Sequence, residues 1–347
     1  MDINEKKSLQ FELWHQCNQK CVFCYNANSN SFTPTELKIK ALDDAYNFLS
    51  DNKKMIPYNT VSYIGGEFFQ GQLDVDEVKN KFFNLMQKTA ELQISGKIRE
   101  VWIMCTLTIG SQKDLYTSLD IMKKMYIQAG KPELINQVWL VTSYDTIGRF
   151  HLPKMQENWS NNMLNLHEKY PTLNFNTCTI LTQDIITKYL NGEFSFNDFM
   201  NKYHTSMFFK QPSPGGIKPI HENLSKIEQY MEAKQLMEKR LPGFFPKRED
   251  FLKFLIKFKE DCPGLYDKLF NIIYRADDLY RNFNESDDNH RMQLNHRNKH
   301  TRNELNEKEG NCLEFLTAKC GHQLNYCAYI DSDECVICDR EFIQNQF

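Results

Sequence analysis

The feature that most constrains the fold is a regular alternation of strand-like and helix-like stretches between residue 8 and about residue 210. Six stretches are rich in β-branched and aromatic residues, as strands are. They are Leu9–Trp14, Thr60–Ile64, Ile98–Leu107, Gln137–Ser143, Asn174–Leu181 and Thr205–Phe209. Between them, stretches such as Thr35–Asn52, Val75–Leu92 and Leu115–Tyr126 carry apolar residues at helical spacing. Such alternation is typical of right-handed β/α units. We therefore predict an α/β fold, a six-stranded (β/α)6 partial barrel.

Alternation within single strands predicts which side chains face the helices and which face a lumen. In the third strand candidate the apolar face consists of Val101, Ile103, Cys105 and Leu107. The other face carries Met104, Thr106 and Thr108, which we expect to line the lumen. In the first candidate, Leu9, Phe11 and Leu13 share one face, with Gln10, Glu12 and Trp14 on the other.

The rest of the chain divides into two further regions, so that three domains are predicted: 1–210, 211–310 and 311–347. The first is the partial-barrel core, the second a helical and polar connecting segment, and the third a small cysteine-rich module. Helices are predicted within the connecting segment at His221–Lys239, Arg248–Lys259 and Pro263–Phe283. The polar stretch Asn284–Asn311 carries many basic residues, which indicates either a basic contact surface or a solvated linker.

Charge and hydropathy exclude several classes of protein. The chain has 42 Lys+Arg against 45 Asp+Glu, so it lacks the polycationic character of a protein that coats nucleic acid. No run of about 20 apolar residues is present, so we expect no membrane helix. The first seven residues lack the apolar core of a secretion signal. We therefore predict a soluble cytoplasmic protein.

The cysteines are unevenly distributed and odd in number. The chain has 11, of which three lie near the start and five near the end. A cytoplasmic protein keeps its thiols reduced, so this count argues against a disulfide framework. Clusters of thiols in a reducing compartment instead indicate a metal or iron–sulfur site. The isolated Cys105, Cys178 and Cys262 are interpreted as buried structural residues, although Cys178 could face the lumen and donate hydrogen.

The first group, Cys17, Cys21 and Cys24, follows directly on the first strand candidate and precedes a helix. Iron–sulfur clusters normally take four cysteine ligands. Three thiolates on one loop could hold three irons of a cubane and leave the fourth for a small molecule, just as catalytic zinc sites keep a position open. A zinc knuckle completed by His15 is the alternative.

The stretch from Trp14 to Tyr25 resembles the cluster-binding segment of the radical S-adenosylmethionine superfamily. Its hallmark is CxxxCxxC after the first barrel strand, with an aromatic residue before the last cysteine, here Phe23. The resemblance implies that Cys17, Cys21 and Cys24 bind a catalytic [4Fe–4S] cluster whose open iron takes S-adenosylmethionine. Such enzymes cleave S-adenosylmethionine reductively to methionine and a 5′-deoxyadenosyl radical, which abstracts hydrogen from the substrate. A reductant such as flavodoxin or ferredoxin is implied as electron donor.

Two further segments resemble cofactor-binding parts of this superfamily. Gly65-Gly66-Glu67 closes the second strand candidate, and the resemblance implies that it meets the methionine amino group; Phe68 follows where the family often has proline. Ser143, at the end of the fourth strand, and a later arginine are implied to hold the ribose and carboxylate. Arg149 lies closer to Ser143 than that arginine usually does, and an exposed loop arginine is the alternative. Asp145 could instead cap the following turn.

The second cysteine group lies at the C-terminus and consists of Cys312, Cys320, Cys327, Cys335 and Cys338. It resembles the twitch or SPASM extensions of radical S-adenosylmethionine enzymes. The resemblance implies at most one complete auxiliary [4Fe–4S] cluster, because a full SPASM domain uses seven cysteines for two clusters. Cys320, Cys327, Cys335 and Cys338 are the simplest set of ligands, and Cys312 could replace one of them. A zinc site that includes the Cys335 and Cys338 pair and His322 remains the alternative.

These features together predict a radical S-adenosylmethionine enzyme. Because enzymes with such C-terminal modules often modify peptides or proteins, the resemblance favours a peptide or protein substrate. Modification of a nucleotide or nucleic acid is an alternative, which the basic residues between Asn284 and Arg302 favour slightly. A non-catalytic zinc-binding interaction protein is the third hypothesis.

Overall fold

The structure is a computed structural model, and it describes residues 7–14, 16–17, 19, 21–24, 33–56, 58–150, 152–210, 212, 217, 220–221, 226–266 and 289–293. Six parallel strands form its sheet: β1 (Lys7–Glu12), β2 (Tyr58–Ile64), β3 (Glu100–Met104), β4 (Val138–Ser143), β5 (Asn174–Ile180) and β6 (Ser206–Lys210). A seventh short strand, β7 (Asn289–Gln293), pairs in parallel with β1. The α/β fold with a parallel sheet is therefore confirmed.

Helices occupy the connections between these strands. They are α1 (Thr35–Ser50), α2 (Asn52–Met55), α3 (Asp76–Ile94), α4 (Lys113–Gln128), α5 (Pro153–Lys169), α6 (Gln183–Leu190), α7 (Phe196–Tyr203), α8 (Lys226–Arg240) and α9 (Arg248–Asp261). A short 3₁₀ helix, Pro132–Gln137, leads into β4. The first, third and fourth helices lie at the predicted stretches, because their apolar residues at helical spacing are the ones that become buried.

The strands lie side by side in the order β6-β5-β4-β3-β2-β1-β7, so the first six follow chain order without a reversal. Each right-handed crossover then puts its helix on the same face of the sheet. Consistent with this, α3 packs against both α1 and α4. This arrangement leaves the opposite face of the sheet free of the crossover helices.

Burial along the strands matches this arrangement. In β3, Val101 and Ile103 are fully buried against the helices, whereas Trp102 and Met104 are half-buried on the opposite face. Parallel register places Trp102 beside Trp139 of β4, and their rings stack with centroids 5.2 Å apart. The predicted alternation is thus confirmed within β3, for Val101 and Ile103 on the buried face and Met104 on the other; Thr106 and Thr108 lie beyond the end of the strand, and Thr108 is buried.

Trp14 differs from its prediction. It was expected on the lumen face, but it follows the end of β1 and is fully buried in the main core. Its ring packs edge-on against Phe68 at 5.2 Å, and its indole nitrogen donates to the Glu67 carbonyl at 3.3 Å. Strand alternation no longer applies there because the strand has ended.

Beyond β6, the described chain includes α8, α9 and β7. Helix α9 lies where predicted and packs on α6, with the apolar stripe Phe251, Phe254, Leu255 and Phe258 fully buried in the main core. Residues 263–266 are helical, and the remainder of the predicted helix Pro263–Phe283 lies outside the described residues. Strand β7 was not predicted, since it lies in the polar stretch Asn284–Asn311.

In the described ranges, no helix is long and apolar enough to span a bilayer. The C-terminal cysteines, Cys312, Cys320, Cys327, Cys335 and Cys338, lie outside the described residues, as does the rest of the predicted module 311–347.

Candidate functional site

The N-terminal cysteines lie on the loop that leaves the carboxyl end of β1, which we call the cysteine loop (residues 17–24). Cys21 is buried, and Cys17 and Cys24 are half-buried. The Cys24 amide donates to the Cys21 carbonyl at 3.0 Å, so the loop turns back on itself. The Gln19 amide donates to the Cys17 sulfur at 3.4 Å. All three thiols therefore lie at the carboxyl edge of the parallel sheet, where ligands of α/β proteins usually bind.

The end of β2 holds the start of this loop. The Gly66 amide donates to the Trp14 carbonyl at 2.8 Å, and the Glu67 amide donates to the Gln16 carbonyl at 3.0 Å. A β-carbon on Gly65 would lie 2.3 Å from the Trp14 carbonyl oxygen. Only glycine permits so close an approach of two backbones. The Gly-Gly pair thus fixes the residues that enter the cysteine loop.

The Glu67 side chain is turned inward and bound by the protein itself. Its two carboxylate oxygens accept the Phe69 amide at 2.9 Å and the Thr106 amide at 2.6 Å, and only 1% of the residue is exposed. Burial raises the pKa of Glu67, while the bonds from the Phe69 and Thr106 amides oppose the shift. The carboxylate therefore ties the end of β2 to the end of β3.

Arg149 is the cation nearest to these thiols among the contacts described. Its Nη1 lies 3.7 Å from the Cys21 sulfur, and its Nε donates to Asp145 at 2.5 Å. Asp145 does not cap its own turn; its other oxygen accepts the Ile180 amide at 2.7 Å. Burial alone would lower the pKa of Arg149, but the charges of Asp145 and Cys21 outweigh it and the pKa is raised. The guanidinium is therefore a buried positive charge beside the cysteine loop.

A small hydrophobic cluster covers the same loop, and we call it the cover cluster. Its buried members are Ile180, Ile217, Ala233, Met237, Phe244 and Phe245. Phe23 of the cysteine loop packs against it, stacked on Phe244 with centroids 5.4 Å apart, and the Arg149 guanidinium lies 5.3 Å from the Phe23 ring centroid. Gly148 lies against this contact, because a β-carbon there would be 2.5 Å from Leu241. Helix α8 and the residues after it thereby seal one side of the loop.

Ser143 ends β4 and is the register partner of Cys178 in β5. Cys178 is buried, and burial raises its pKa to about 11, an effect that a hydrogen bond from Ser143 partly opposes. Arg149 and Asp145 also act on this thiol through their charges. Ser143, Arg149 and Cys21 therefore lie near one another at this edge of the sheet.

On the other side of the loop lies a network of uncharged polar side chains, formed by Gln19, Gln70, Thr106 and Thr108. The Gln19 amide donates to Gln70 Oε1 at 3.1 Å and to the Thr108 hydroxyl. The Gln70 amide donates to the hydroxyls of both threonines. The network joins the cysteine loop to the ends of β2 and β3.

The backbone beneath this network is fixed in an unusual conformation. Leu107 has a φ of +58°, a backbone conformation that residues other than glycine rarely adopt. The Asn162 amide holds it there by donating to the Leu107 carbonyl at 2.9 Å and to the Ile109 carbonyl at 2.7 Å. The threonine hydroxyls are thus presented from a rigid turn.

The thiols influence one another electrostatically. Burial is the main cause that raises the pKa of Cys17 to about 12; the hydrogen bond from the Gln19 amide opposes the rise, and the charges of Glu67, Cys21 and Cys24 contribute to it. Burial also raises the pKa of Cys21, against the charge of Arg149. Within the residues described, no three His, Cys, Asp or Glu side chains surround a common point closely enough to hold a metal ion. The loop therefore brings the three thiols into one region without forming a finished metal site.

Sequence reasoning did not identify Gln19, Gln70, Phe244 or the roles of Thr106 and Thr108 in this site. The glutamine contacts join residues 51 and 89 positions apart, and Phe244 lies in a segment assigned only as a connection. Periodicity carries no signal for such contacts. The one available hint was that Thr106 and Thr108 were expected on the lumen face.

Compared with protein-family models, the sequence matches none, and no curated protein is significantly similar to it.

Proposed function

We propose that the chain is a radical S-adenosylmethionine enzyme with a partial-barrel core. The observation that carries the proposal is the position of the three-cysteine loop. It leaves the carboxyl end of the first strand, and the Gly-Gly pair at the end of the second strand binds its first residues through backbone hydrogen bonds. Two sequence segments that were singled out separately are thus adjacent in the fold.

The residues present fit a [4Fe–4S] cluster in donor chemistry. Cys17, Cys21 and Cys24 supply three thiolates, one fewer than a cluster fully ligated by protein would use. Arg149 supplies a positive charge 3.7 Å from the Cys21 sulfur, which favours the thiolate form. Binding would draw the three sulfurs together, since the described residues do not already arrange them around one point.

Cys17, Cys21 and Cys24 would hold the cluster, which would supply the electron for reductive cleavage of S-adenosylmethionine to methionine and a 5′-deoxyadenosyl radical that takes hydrogen from the substrate. The protein positions and shields this chemistry. Gly65 and Gly66 bring the backbone of β2 against the cysteine loop. Phe23 and Phe244 keep water from one side of it. Ser143 and Arg149 are the candidates for holding the cofactor's ribose and carboxylate.

A lumen on the helix-free face of the sheet would hold the substrate. The sequential strand order supports a sheet that curls into a partial barrel, because all its helices cover one face. Half-buried Trp102, Met104 and Trp139 line the opposite face. We propose a peptide or protein substrate, on the resemblance of the C-terminal cysteines to auxiliary-cluster modules.

The test is formation of 5′-deoxyadenosine. The anaerobically reconstituted protein is reduced with dithionite in the presence of S-adenosylmethionine, beside a Cys17→Ala, Cys21→Ala, Cys24→Ala variant. We expect 5′-deoxyadenosine from the natural sequence and none from the variant. Cys262→Ala is the matched control, because this buried thiol bonds to Asn197 and lies outside the cysteine loop. Equal product from the triple variant would refute the proposal, as would a colourless natural protein that binds zinc instead.

A further inference from the structure

Three contacts fix the guanidinium group of Arg149 beside the cysteine loop. Its Nε donates to the Asp145 carboxylate at 2.5 Å, and its Nη1 donates to the Cys21 sulfur at 3.7 Å. The group also lies over the Phe23 ring, with its carbon 5.3 Å from the ring centroid. A carboxylate, a sulfur and an aromatic ring thus hold this cation in one position against a candidate cluster ligand.

The carboxylate that orients the guanidinium is itself anchored. Asp145 is 1% exposed, and its second oxygen accepts the Ile180 amide at the end of β5 at 2.7 Å. The backbone between Asp145 and Arg149 is fixed as well, because Gly148 has a φ of +79° and a β-carbon there would lie 2.5 Å from Leu241. The contact of Arg149 with Cys21 is therefore built into the fold.

The charge of this guanidinium is permanent and weakly screened. An arginine is not deprotonated in a protein. Only 13% of the Arg149 side chain is exposed, and the stacked rings of Phe23 and Phe244 lie on one side of the contact with Cys21. Where water is scarce, the effective dielectric constant is lower and a charge acts more strongly on its neighbours. A change of charge on a cluster held by Cys21 would be felt strongly here.

We propose that Arg149 raises the reduction potential of the cluster bound by the cysteine loop and that Asp145 limits this rise. This inference rests on the proposed function. Reduction adds a negative charge, which a neighbouring cation stabilises and a neighbouring carboxylate destabilises. Hydrogen bonds to the sulfurs are among the factors that set the potential of an iron–sulfur cluster. Arg149 acts through Cys21, and Asp145 is its positioning residue.

The test is a potentiometric titration of the anaerobically reconstituted full chain, followed by electron paramagnetic resonance. The signal to follow is the one that the Cys17→Ala, Cys21→Ala, Cys24→Ala variant lacks, which separates it from a cluster bound elsewhere in the chain. The titration contains no S-adenosylmethionine, so a contact of Arg149 with the cofactor's carboxylate cannot contribute to the result.

Arg149→Met and Asp145→Asn should move the midpoint potential in opposite directions. Arg149→Met removes the cation and its hydrogen bond to sulfur. We expect the equilibrium constant for adding one electron to fall about tenfold or more, a shift of about 59 mV or more to negative potential. Asp145→Asn removes the negative charge and should shift the midpoint to more positive potential. Loosening of the loop alone would move both midpoints the same way.

Arg99→Met is the matched control. Arg99 is also paired with a carboxylate, since its Nη2 lies 2.7 Å from an oxygen of Glu100. It directly precedes β3, however, and so lies at the amino edge of the sheet, opposite the cysteine loop. We expect this variant to keep the midpoint potential of the natural sequence.

Several results would overturn the assignment while leaving the proposed function intact. They are an unchanged or more positive midpoint for Arg149→Met, an unchanged or more negative one for Asp145→Asn, and an equal shift in Arg99→Met. If Arg149→Met takes up no iron, Asp145→Asn decides alone, and a more positive midpoint supports the assignment. A natural protein without any cluster signal that depends on Cys17, Cys21 and Cys24 would refute the proposed function as well.

Discussion

Substituting alanine for Gly65 probes the contact between the end of β2 and the cysteine loop. The added methyl group would lie 2.3 Å from the Trp14 carbonyl oxygen, far inside van der Waals contact, and this oxygen belongs to rigid backbone. Relief therefore requires the two segments to separate. Separation breaks the bonds from the Gly66 amide to Trp14 and from the Glu67 amide to Gln16.

The size of the effect follows from these losses. Two backbone hydrogen bonds contribute about 1 kcal/mol each to stability. Forcing a non-glycine residue into the φ of +152° found at Gly65 adds about 1–3 kcal/mol. We therefore expect Gly65→Ala to lower the free energy of unfolding by about 3–5 kcal/mol. Iron uptake on reconstitution should fall as well, because the displaced backbone leads into Cys17.

The assay is urea unfolding of the metal-free protein, followed by tryptophan fluorescence, with two control variants. Gly110→Ala places its methyl group 3.8 Å from the Asn158 side chain, an ordinary contact, and should change stability by less than about 0.5 kcal/mol. Gly71→Ala meets no atom within 4 Å but has a φ of +75°, so it should cost only about 1–2 kcal/mol of backbone strain. If Gly65→Ala unfolds at the same urea concentration as Gly110→Ala, the described approach of β2 to Trp14 is incorrect.

Two further predictions concern charged and titrating groups. Arg149→Met should lower the free energy of unfolding by about 3 kcal/mol, because it leaves the Asp145 carboxylate buried without its cation. Adding Asp145→Asn should recover part of that loss, and urea midpoints that show no recovery would contradict the pairing. The His167 ring stacks on His204 at 3.8 Å, and partial burial with the charge of His204 lowers the pKa of His167. The unfolded chain then binds the proton more readily, so stability should decline as the pH falls below about 6.5. The test measures the urea midpoints of the natural sequence and of His167→Gln at about pH 7 and pH 5. The midpoint of His167→Gln should decline less between the two pH values; equal declines would contradict the prediction.

Much of the fold was predictable because the strands bury one face and the helices one stripe. The alternating residues of β3 are buried as predicted, yet the strand ends at Met104 rather than Leu107. The reason is the turn at Leu107, whose positive φ is maintained by Asn162 from α5. Such a contact between distant parts of the chain cannot be read from local periodicity. Strand β7 was missed for a related reason, since its polar sequence carries no alternating apolar pattern.

The candidate site was predictable to the extent that its residues are adjacent in sequence. Spacing identified the three cysteines, and strand ends identified Gly65 and Gly66. The buried position of Arg149 could not be predicted, because its partners Asp145 and Cys21 are set by the packing of the loop after β4 on the cysteine loop. The hydrogen bonds of Gln19 depend likewise on residues from two other connections.

Anaerobic iron and acid-labile sulfide analysis shows whether Cys17, Cys21 and Cys24 bind a cubane cluster. We expect equal iron and sulfide, about four of each per chain for one cluster or about eight for two. We also expect the loss of about four irons when these three cysteines are replaced by alanine. Iron content unchanged by that replacement, or zinc in place of iron in the natural sequence, would contradict this assignment.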